Sequence, residues 1–347
     1  MKSSTLKKHI LTCGFCLALY YSPIGLAQEN VDCAIEPPTA VQKNLKNTKR
    51  KTRIFPEKRF IRHKPSLNTT QIPFSSPMRL LMSTGDVTIL NLFGQSKSST
   101  KENGGSNLMD GDRILTGDHS FVTLQTKDDT FLTLASNTEL LLGNIKHGPI
   151  QIELAQGRVE SLVAKQKSTD RKSSYQIKTP AVTLSVRGTR FKVEHLLGNG
   201  NTQVSVEDGL VAAQLRHVCS KSVMLSVGDG AVANSTDIKV KPMLPEPSQI
   251  EVTPVTKEKF LKVSVKPLPD AALYHAQASL DESAMLVVKE VYSTSPELVF
   301  EGLDNGYYFI RLSAIDANGV EGFSDMRTVL YQPPPSSNLW LEDFLKP

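Results

Sequence analysis

The residues that could bind a metal or a cofactor are too scattered in this sequence to form a site. The seven histidines show no H-E-x-x-H spacing, which would place two imidazoles on one face of a helix for zinc. Asp110-Gly111-Asp112 resembles the start of a calcium loop, but the later oxygen ligands and the closing glutamate are missing, so we interpret it as a turn. We therefore predict neither a metal nor another cofactor.

Two groupings could supply a nucleophile, and the context of each argues against it. Ser98 and Lys101 have the S-x-x-K spacing in which a lysine can activate a serine, but no S-D-N or K-T-G motif follows. His217 lies close to Cys219, where an imidazole could activate a thiol, yet an exported chain favours a disulfide at that cysteine. We predict no catalytic residue and a non-enzymatic protein. A peptidoglycan-associated or carbohydrate-active role is kept as an alternative.

The first 27 residues have the layout of a secretory signal peptide. Three lysines precede an apolar run from Ile10 to Leu19, and Gly25-Leu26-Ala27 offers small residues for cleavage before Gln28. The apolar run is shorter than the roughly 20 residues of a membrane-spanning helix, which favours cleavage over retention as an anchor. We predict cleavage between Ala27 and Gln28 and export of the rest of the chain.

Export places the remaining cysteines in an oxidising compartment. Cys13 and Cys16 leave with the signal peptide, whereas Cys33 and Cys219 stay. Two cysteines allow one disulfide, which would tie the new N-terminus to the end of the central strand region. The sequence does not fix the distance between them, so Cys33 and Cys219 are a candidate pair.

Positive charge is concentrated in one stretch, Lys43 to Lys64. It holds ten lysines and arginines against Glu57 alone, a charge of +9 in a chain whose net charge is +5. Export argues against a nucleic-acid partner, which leaves a peripheral contact with an anionic membrane surface or a solvated linker. Prolines without hydrophobic periodicity surround the stretch, and we predict that residues 28–77 form a basic, largely disordered segment.

From residue 78 to residue 235, short stretches of alternating apolar and polar residues follow one another. Val182, Leu184 and Val186 show the period of two that is typical of a half-buried strand. Turn residues such as Asn103-Gly104-Gly105 and Gly198-Asn199-Gly200 separate these stretches. No amphipathic stretch of helical length lies between them, so the sequence predicts an all-β sandwich, barrel or solenoid.

The most specific pattern is a strand, a corner and a second strand within residues 175–214. Its glycines allow two backbones to approach each other, and we interpret the pattern as structural. Its positions are Thr179, Pro180, Val186, Arg187, Gly188, Thr189, Phe191, Val193, Glu207, Asp208 and Gly209.

This ordered set resembles the signature of the FecR domain family, as does the stretch from Gly111 to Gly117. The resemblance implies a short β-solenoid-like roll over residues 78–235 and a periplasmic location in a Gram-negative cell. It also implies a signal-relay role between the envelope and a sigma factor as an alternative. Such regulators need a cytosolic N-terminal segment and a membrane span, which we do not find here. The LysM module of some FecR-domain chains is not recognisable either.

A second β region, residues 250–332, follows a proline-containing linker at 236–249. Leu303 to Asp316 combines a turn, an aromatic pair and a long alternating strand. It resembles the hairpin of an immunoglobulin-like, fibronectin type III sandwich, in which a corner tyrosine hydrogen-bonds upstream backbone. The tryptophan usual on the second strand of that fold is absent. Residues 333–347 form a predicted C-terminal tail.

Together these patterns predict an exported cell-envelope protein that binds or scaffolds a partner through its β surfaces. The partner class is an unidentified envelope protein or glycan. Exposed edges of short β stacks can accept an added strand, because unpaired backbone groups supply the hydrogen bonds.

Overall fold

The computed structural model describes residues 76–97, 106–146, 149–165, 175–218, 220–255 and 257–332, and its regular elements there are all β-strands. This confirms the predicted all-β class. Within the described residues no helix is long and apolar enough to span a membrane. Several predicted features lie outside the described residues: the cleavage site at Ala27 and Gln28, the cysteines Cys33 and Cys219, the stretch Lys43 to Lys64, and the tail 333–347.

Seventeen strands build the first domain. They are β1 Met78–Thr84, β2 Val87–Leu90, β3 Ser96–Lys97, β4 Asn107–Leu108, β5 Arg113–Thr116, β6 Phe121–Thr126, β7 Phe131–Leu134, β8 Glu139–Leu142, β9 Ile150–Leu162, β10 Tyr175–Lys178, β11 Val182–Val186, β12 Arg190–His195, β13 Thr202–Asp208, β14 Leu210–Leu215, β15 Ser222–Ser226, β16 Asp229–Ala233 and β17 Ile238–Pro242.

These strands pair in two ladders that share β9. The first ladder runs β4-β1-β6-β7-β9-β12-β13-β16-β17, and the second runs β3-β2-β5-β8-β9-β10-β11-β14-β15. The start of β9 pairs with β8 and β10, whereas its end pairs with β7 and β12. Except for the parallel pair β9–β10, the pairs are antiparallel. The chain therefore passes back and forth between the ladders, mostly as hairpins.

The core of the first domain lies between the two ladders. Every second side chain of a strand points into this core. Phe191 and Val193 of β12 are fully buried there, and Val204 and Val206 of β13 pack beside them. Tyr175 meets Phe191 edge to face, with ring centroids 6.3 Å apart. Each large apolar side chain that is fully buried contributes about 1.5–3 kcal/mol to folding.

The Arg-Gly-Thr corner packs against the turn between β13 and β14. The Thr189 hydroxyl accepts a hydrogen bond from the Leu210 amide at 3.2 Å and lies 3.0 Å from the Leu210 carbonyl. Gly188 and Gly209 have φ values of 64° and 87°, a region that favours glycine. A β-carbon on Gly209 would lie 2.6 Å from the Thr189 hydroxyl oxygen. The corner can therefore pack this closely against the turn only because position 209 is a glycine.

A second domain of seven strands follows as a two-sheet sandwich. One sheet has the order β18-β19-β22 and the other β21-β20-β23-β24. The strands are β18 Glu251–Val255, β19 Phe260–Ser264, β20 Ala271–Ser279, β21 Val287–Ser293, β22 Glu297–Glu301, β23 Gly306–Asp316 and β24 Glu321–Tyr331. Residues such as Leu261, Phe300, Ile310 and Leu312 fill the space between the sheets.

Tyr308, at the start of β23, makes the corner bond that the sequence predicts. Its hydroxyl donates to the carbonyl oxygen of Asp304 at 3.0 Å. This bond fixes the chain where it crosses between the two sheets, as in other sandwiches of this kind. Burial, the largest effect, raises the pKa of the Tyr308 hydroxyl, so it remains a donor at neutral pH.

The segment 236–249, expected as a linker, contains strand β17. It pairs antiparallel with β16 along its whole length, from Asp229 opposite Pro242 to Ala233 opposite Ile238. Pro242 stands at the end of the strand, where a residue without an amide hydrogen is tolerated.

The Gly209→Ala substitution tests the packing of the signature corner. We expect it to lower the free energy of unfolding by about 1–3 kcal/mol, because the new β-carbon collides with Thr189 and the backbone is forced into a left-handed conformation. Urea unfolding followed by circular dichroism measures the change. Gly198→Ala is the control, since nothing lies within 4 Å of a β-carbon there. Equal losses in the two variants would contradict the packing argument.

Candidate functional site

The outer face of the first ladder is polar and yet buried. In β9 and β12 the side chains of Arg158, Glu160 and Lys192 point away from the first core, as alternation dictates, and each is less than 10% exposed. The sheet β21-β20-β23-β24 covers this face and brings its own charged residues to it. The two domains therefore meet through charge as well as through apolar contact.

Glu160 is the centre of one half of this contact. The Arg311 guanidinium binds both of its carboxylate oxygens, with Nη1 2.5 Å from Oε1, and Arg190 Nη2 lies 2.6 Å from Oε1. Gln277 accepts from Arg311 Nε at 3.1 Å and so fixes the plane of the guanidinium. Burial alone would raise the pKa of Glu160, but the charges of Arg311 and Arg190 outweigh it and hold the pKa well below its usual range.

Lys192 connects this half to the rest. Its ammonium lies 2.7 Å from a Glu321 oxygen in the second domain and 3.1 Å from Glu207 Oε1 in the first. Arg190 Nε also lies 3.0 Å from Glu207 Oε2. The contacts of Glu207 are at ion-pair distance without hydrogen-bond alignment, so it contributes mainly charge.

His275 occupies the other half, between two carboxylates. Its Nδ1 lies 3.0 Å from Glu321 Oε1 and its Nε2 3.1 Å from Glu290 Oε2. The ring therefore bridges two carboxylates of the sandwich. The ring stacks on Tyr292 at a centroid distance of 4.3 Å and an angle of 5°. Arg158 also binds Glu290 and the Tyr292 hydroxyl.

The carboxylates of this second half are charged in the folded protein. Burial raises the pKa of Glu290, but Arg158 and His275 outweigh burial and lower it to about 2. Glu321 follows the same pattern, with Lys192 and His275 holding its pKa well below the usual value. We call these nine side chains the ion network: Arg158, Glu160, Arg190, Lys192, Glu207, His275, Glu290, Arg311 and Glu321.

Apolar and neutral contacts flank the ion network. The hydroxyls of Thr123 and Thr133 both donate to the Met285 carbonyl at 2.6 Å. Val287 packs on Phe121 in a small apolar cluster. These contacts exclude water from one side of the charges and strengthen the attraction between them.

A cleft of about 790 Å³ opens at the other side of the ion network. It is lined by Asp118, His119, Ser136, Asn137, Gln156, Gly157, Glu194, His195, Leu196, Leu197, Glu290, Val291, Tyr292, Ser293, Glu297, Leu298 and Val299. Glu194 lies between the cleft and the network. Burial, joined by the charges of Glu321 and Glu290, raises the pKa of its carboxyl above the usual value, against the opposing effect of Arg158.

The signature residues have mainly local surroundings, and Glu207 alone among them belongs to the ion network. Val186, Phe191 and Val193 are core residues. Thr179 caps the turn before β11, with its hydroxyl 2.9 Å from that of Thr202. Sequence analysis missed the other eight network residues. The available signal was charge of both signs at alternating positions of β9 and β12, opposite similar charge in β21, β23 and β24.

Among the described residues no group of three or more histidine, cysteine or acidic side chains could hold a metal ion. The arrangement brings together five basic and four acidic groups that are already matched to each other. This matched set of charges fixes the two surfaces in one orientation.

A comparison with protein families assigns the first domain. The family described as FecR protein matches residues 112–212, a span that includes the eleven signature positions and all but the first residue of the stretch Gly111 to Gly117. The chain contains a FecR domain. No curated protein matches the chain.

Two solved structures are similar to parts of this chain. A proposed anti-sigma factor from Parabacteroides distasonis matches at 18% identity, covers 38% of this chain and has 59% of its own length covered, with a TM-score of 0.33. The FN5 domain of Drosophila Lar matches at 22% identity, with 26% of this chain and 99% of that domain covered and a TM-score of 0.22. Such TM-scores do not establish a shared overall fold, so the fold rests on the strand order and on Tyr308.

The Arg311→Met substitution tests the coupling between the FecR domain and the sandwich. We expect a loss of about 3 kcal/mol in the free energy of unfolding, because removing one partner leaves the buried Glu160 charge incompletely matched. Urea unfolding measures the loss. Lys262→Met, which removes the exposed pair with Glu297, is the control and should cost roughly 0–1 kcal/mol. Equal effects would show that the buried pair does not couple the domains.

The lowered pKa values also predict a loss of stability in acid. Glu160, Glu290 and Glu321 bind protons less readily when folded than when unfolded, so their contribution is complete above their usual pKa near 4.5. It declines as the pH falls toward 2, the value for Glu290. Urea unfolding in a series from pH 7 to about pH 3 measures this decline. The Glu290→Gln variant should show a shallower decline, and a wild-type stability that stays flat below pH 4.5 would contradict the assignment.

Proposed function

We propose that this protein is an exported, non-enzymatic scaffold of the cell envelope that holds a protein or glycan partner on its β surfaces. The observation that carries the proposal is the buried ion network, which the FecR domain and the sandwich share. Since any relative movement of the domains would separate buried charges, both domains present their surfaces in one fixed arrangement. A scaffold needs such an arrangement.

The proposed location is the periplasm. The leader predicted to end at Ala27 supports export, and the match to the FecR family supports an envelope location. We also propose that the FecR domain is a short roll of the solenoid type. The passage of successive hairpins between its two ladders supports this, because each hairpin extends the stack laid down before it.

Strand β15 is the edge that we propose for recognition. It is the last strand of the second ladder and pairs only with β14 among the described residues. Met224 on this strand is 37% exposed, and Val227 just beyond it is 51% exposed. An extended segment of a partner can add to such an edge through backbone hydrogen bonds, while these apolar side chains contribute contact area.

A second candidate function is signal relay between the envelope and a sigma factor, which the family match over residues 112–212 favours. The rigid coupling of the two domains would then transmit a binding event from one domain to the other. Comparing transcripts of a strain that lacks the protein with those of its parent distinguishes this role. A change confined to genes of one sigma factor supports relay, and an unchanged transcript profile argues against it.

The Met224→Lys substitution tests recognition at β15. Lysine on an edge strand opposes the pairing of a further strand, so we expect a several-fold loss of partner captured by cross-linking in envelope extracts. Quantitative mass spectrometry of the cross-linked material measures capture. Leu280→Lys is the control, because Leu280 is similarly exposed at 44% but lies beyond the end of β20. If neither wild type nor control captures a partner, or if all three capture equally, the edge proposal fails.

A further inference from the structure

The turn between β2 and β3 carries the two most exposed large apolar side chains of the described residues. Phe93 is 83% exposed and Leu92 is 71% exposed. We call these two side chains the apolar tip. Neighbouring apolar side chains that are this open to water mark a site of contact with another molecule or with a membrane.

The turn that holds the apolar tip is closed by its own hydrogen bonds. The Asn91 amide donates to the Gln95 carbonyl at 2.9 Å, and the Gly94 amide donates to the Asn91 carbonyl at 2.8 Å. The side-chain oxygen of Asn91 accepts from the amides of Phe93 and Gln95, both at 2.9 Å. Four of the five amides of residues 91–95 therefore have partners inside the turn.

The apolar tip projects from the surface. A β-carbon on Gly94 would meet nothing within 4 Å, so this side of the turn faces open solvent. At the base, a β-carbon on Gly111 would lie 2.7 Å from Leu92 Cδ1, which shows that Leu92 rests on the turn before β5. Met109 of that turn is 41% exposed. The tip is thus convex, with one further apolar group at its base.

The size and shape of the tip favour a lipid surface over a protein surface. Leu92, Phe93 and Met109 together expose on the order of 300–400 Å² of apolar surface, whereas each side of a standard protein interface buries about 800 Å². A bilayer accepts apolar side chains without a complementary pocket. It excludes unpaired backbone groups, and the closed turn leaves only the Leu92 amide for a headgroup oxygen.

The charged groups around the tip are matched to each other. Lys97 of β3 lies 2.5 Å from Asp112, and Arg113 of β5 lies 2.5 Å from Glu139. Asp110, at the base of the tip, accepts a backbone amide with its carboxylate at 2.8 Å. The described rim of the tip therefore carries matched charges and no strong field of one sign. We expect a contact that is made by apolar side chains and is insensitive to the charge of the lipid.

We propose that Leu92 and Phe93 insert into the surface of a phospholipid bilayer and attach the FecR domain to a membrane. Two side chains bury less apolar surface than one acyl chain, whose binding constant is about 10⁴ M⁻¹, so the contact is weak and reversible. The tip lies at one end of the second ladder and β15 at the other. The proposal goes beyond recognition at β15 and does not depend on it, and Met224→Lys should leave membrane contact unchanged.

Co-sedimentation with phosphatidylcholine vesicles tests the proposal. This lipid has no net charge, and in about 1 M salt the Debye length is about 3 Å, so the basic stretch Lys43 to Lys64 contributes little. The exported chain should sediment with vesicles at millimolar lipid, and Phe93→Ser or Leu92→Ser should lower the bound fraction several-fold. Tyr307→Ser is the control, because Tyr307 is an aromatic side chain that is 67% exposed on the sandwich. It should leave the bound fraction unchanged.

A tryptophan at the tip reports whether the tip enters the lipid. Phe93→Trp in a Trp340→Phe background places the only tryptophan of the chain there. Its emission should shift to shorter wavelength when vesicles are added, and brominated phosphatidylcholine should quench it. Tyr307→Trp in the same background should show neither change. Phe93→Leu keeps an apolar side chain and should sediment like the wild type, which separates a lost apolar contact from a folding defect.

Four outcomes would overturn the proposal. The first is sedimentation that is absent in the wild type or equal in Phe93→Ser and Tyr307→Ser. The second is binding only to phosphatidylglycerol vesicles at low salt, which would assign membrane contact to basic charge. The third is a tip tryptophan whose emission is already shifted without vesicles, because the tip would then be covered by protein. The fourth is loss of protein capture from envelope extracts in Phe93→Ser without vesicle binding by the wild type, which would assign the tip to a protein partner.

Discussion

The arrangement of the two domains depends on buried charges that must be matched to each other. Transferring a carboxylate or a guanidinium out of water costs several kcal/mol, and only close partners offset that cost. In the contact between Glu160 and Arg311 the geometry is two-pronged, and Gln277 fixes the plane of the guanidinium. Apolar contacts tolerate sliding, but ion pairs of this geometry do not. The ion network therefore fixes the orientation of the domains.

The local structure could be predicted from the sequence because the interactions that determine it are local. Alternation placed Phe191 and Val193 in the core, and the aromatic pair after a turn indicated the bond that Tyr308 makes. The ion network could not be predicted in the same way. A period of two shows that Lys192 faces away from its own core. It does not show whether the lysine faces water or a second domain, because a lysine is compatible with both. Only the pairing of Lys192 with Glu321, more than a hundred residues later in the chain, shows that a second domain covers this face.

The segment between the domains shows the same limit. Its prolines predict a stiff connection. Its actual role depends on neighbours that are far away in sequence: β17 continues the first ladder, and the Met243 amide donates to the Gly228 carbonyl at 2.9 Å. Beyond the strand, Leu244 accepts from the Phe323 amide at 3.0 Å with its carbonyl oxygen. The connection is thus built into the contact between the domains.

The cleft and the rigid junction have one physical origin. Arg158, Lys192 and Arg311 each bind a carboxylate of the other domain, whereas Arg190 and His275 bind carboxylates of their own domain. Glu194 follows Arg190 and Lys192 along the outward face of β12, stands opposite Arg158 of β9 and lines the cleft. The cleft thus lies at the border of the same charged face that the ion network fills.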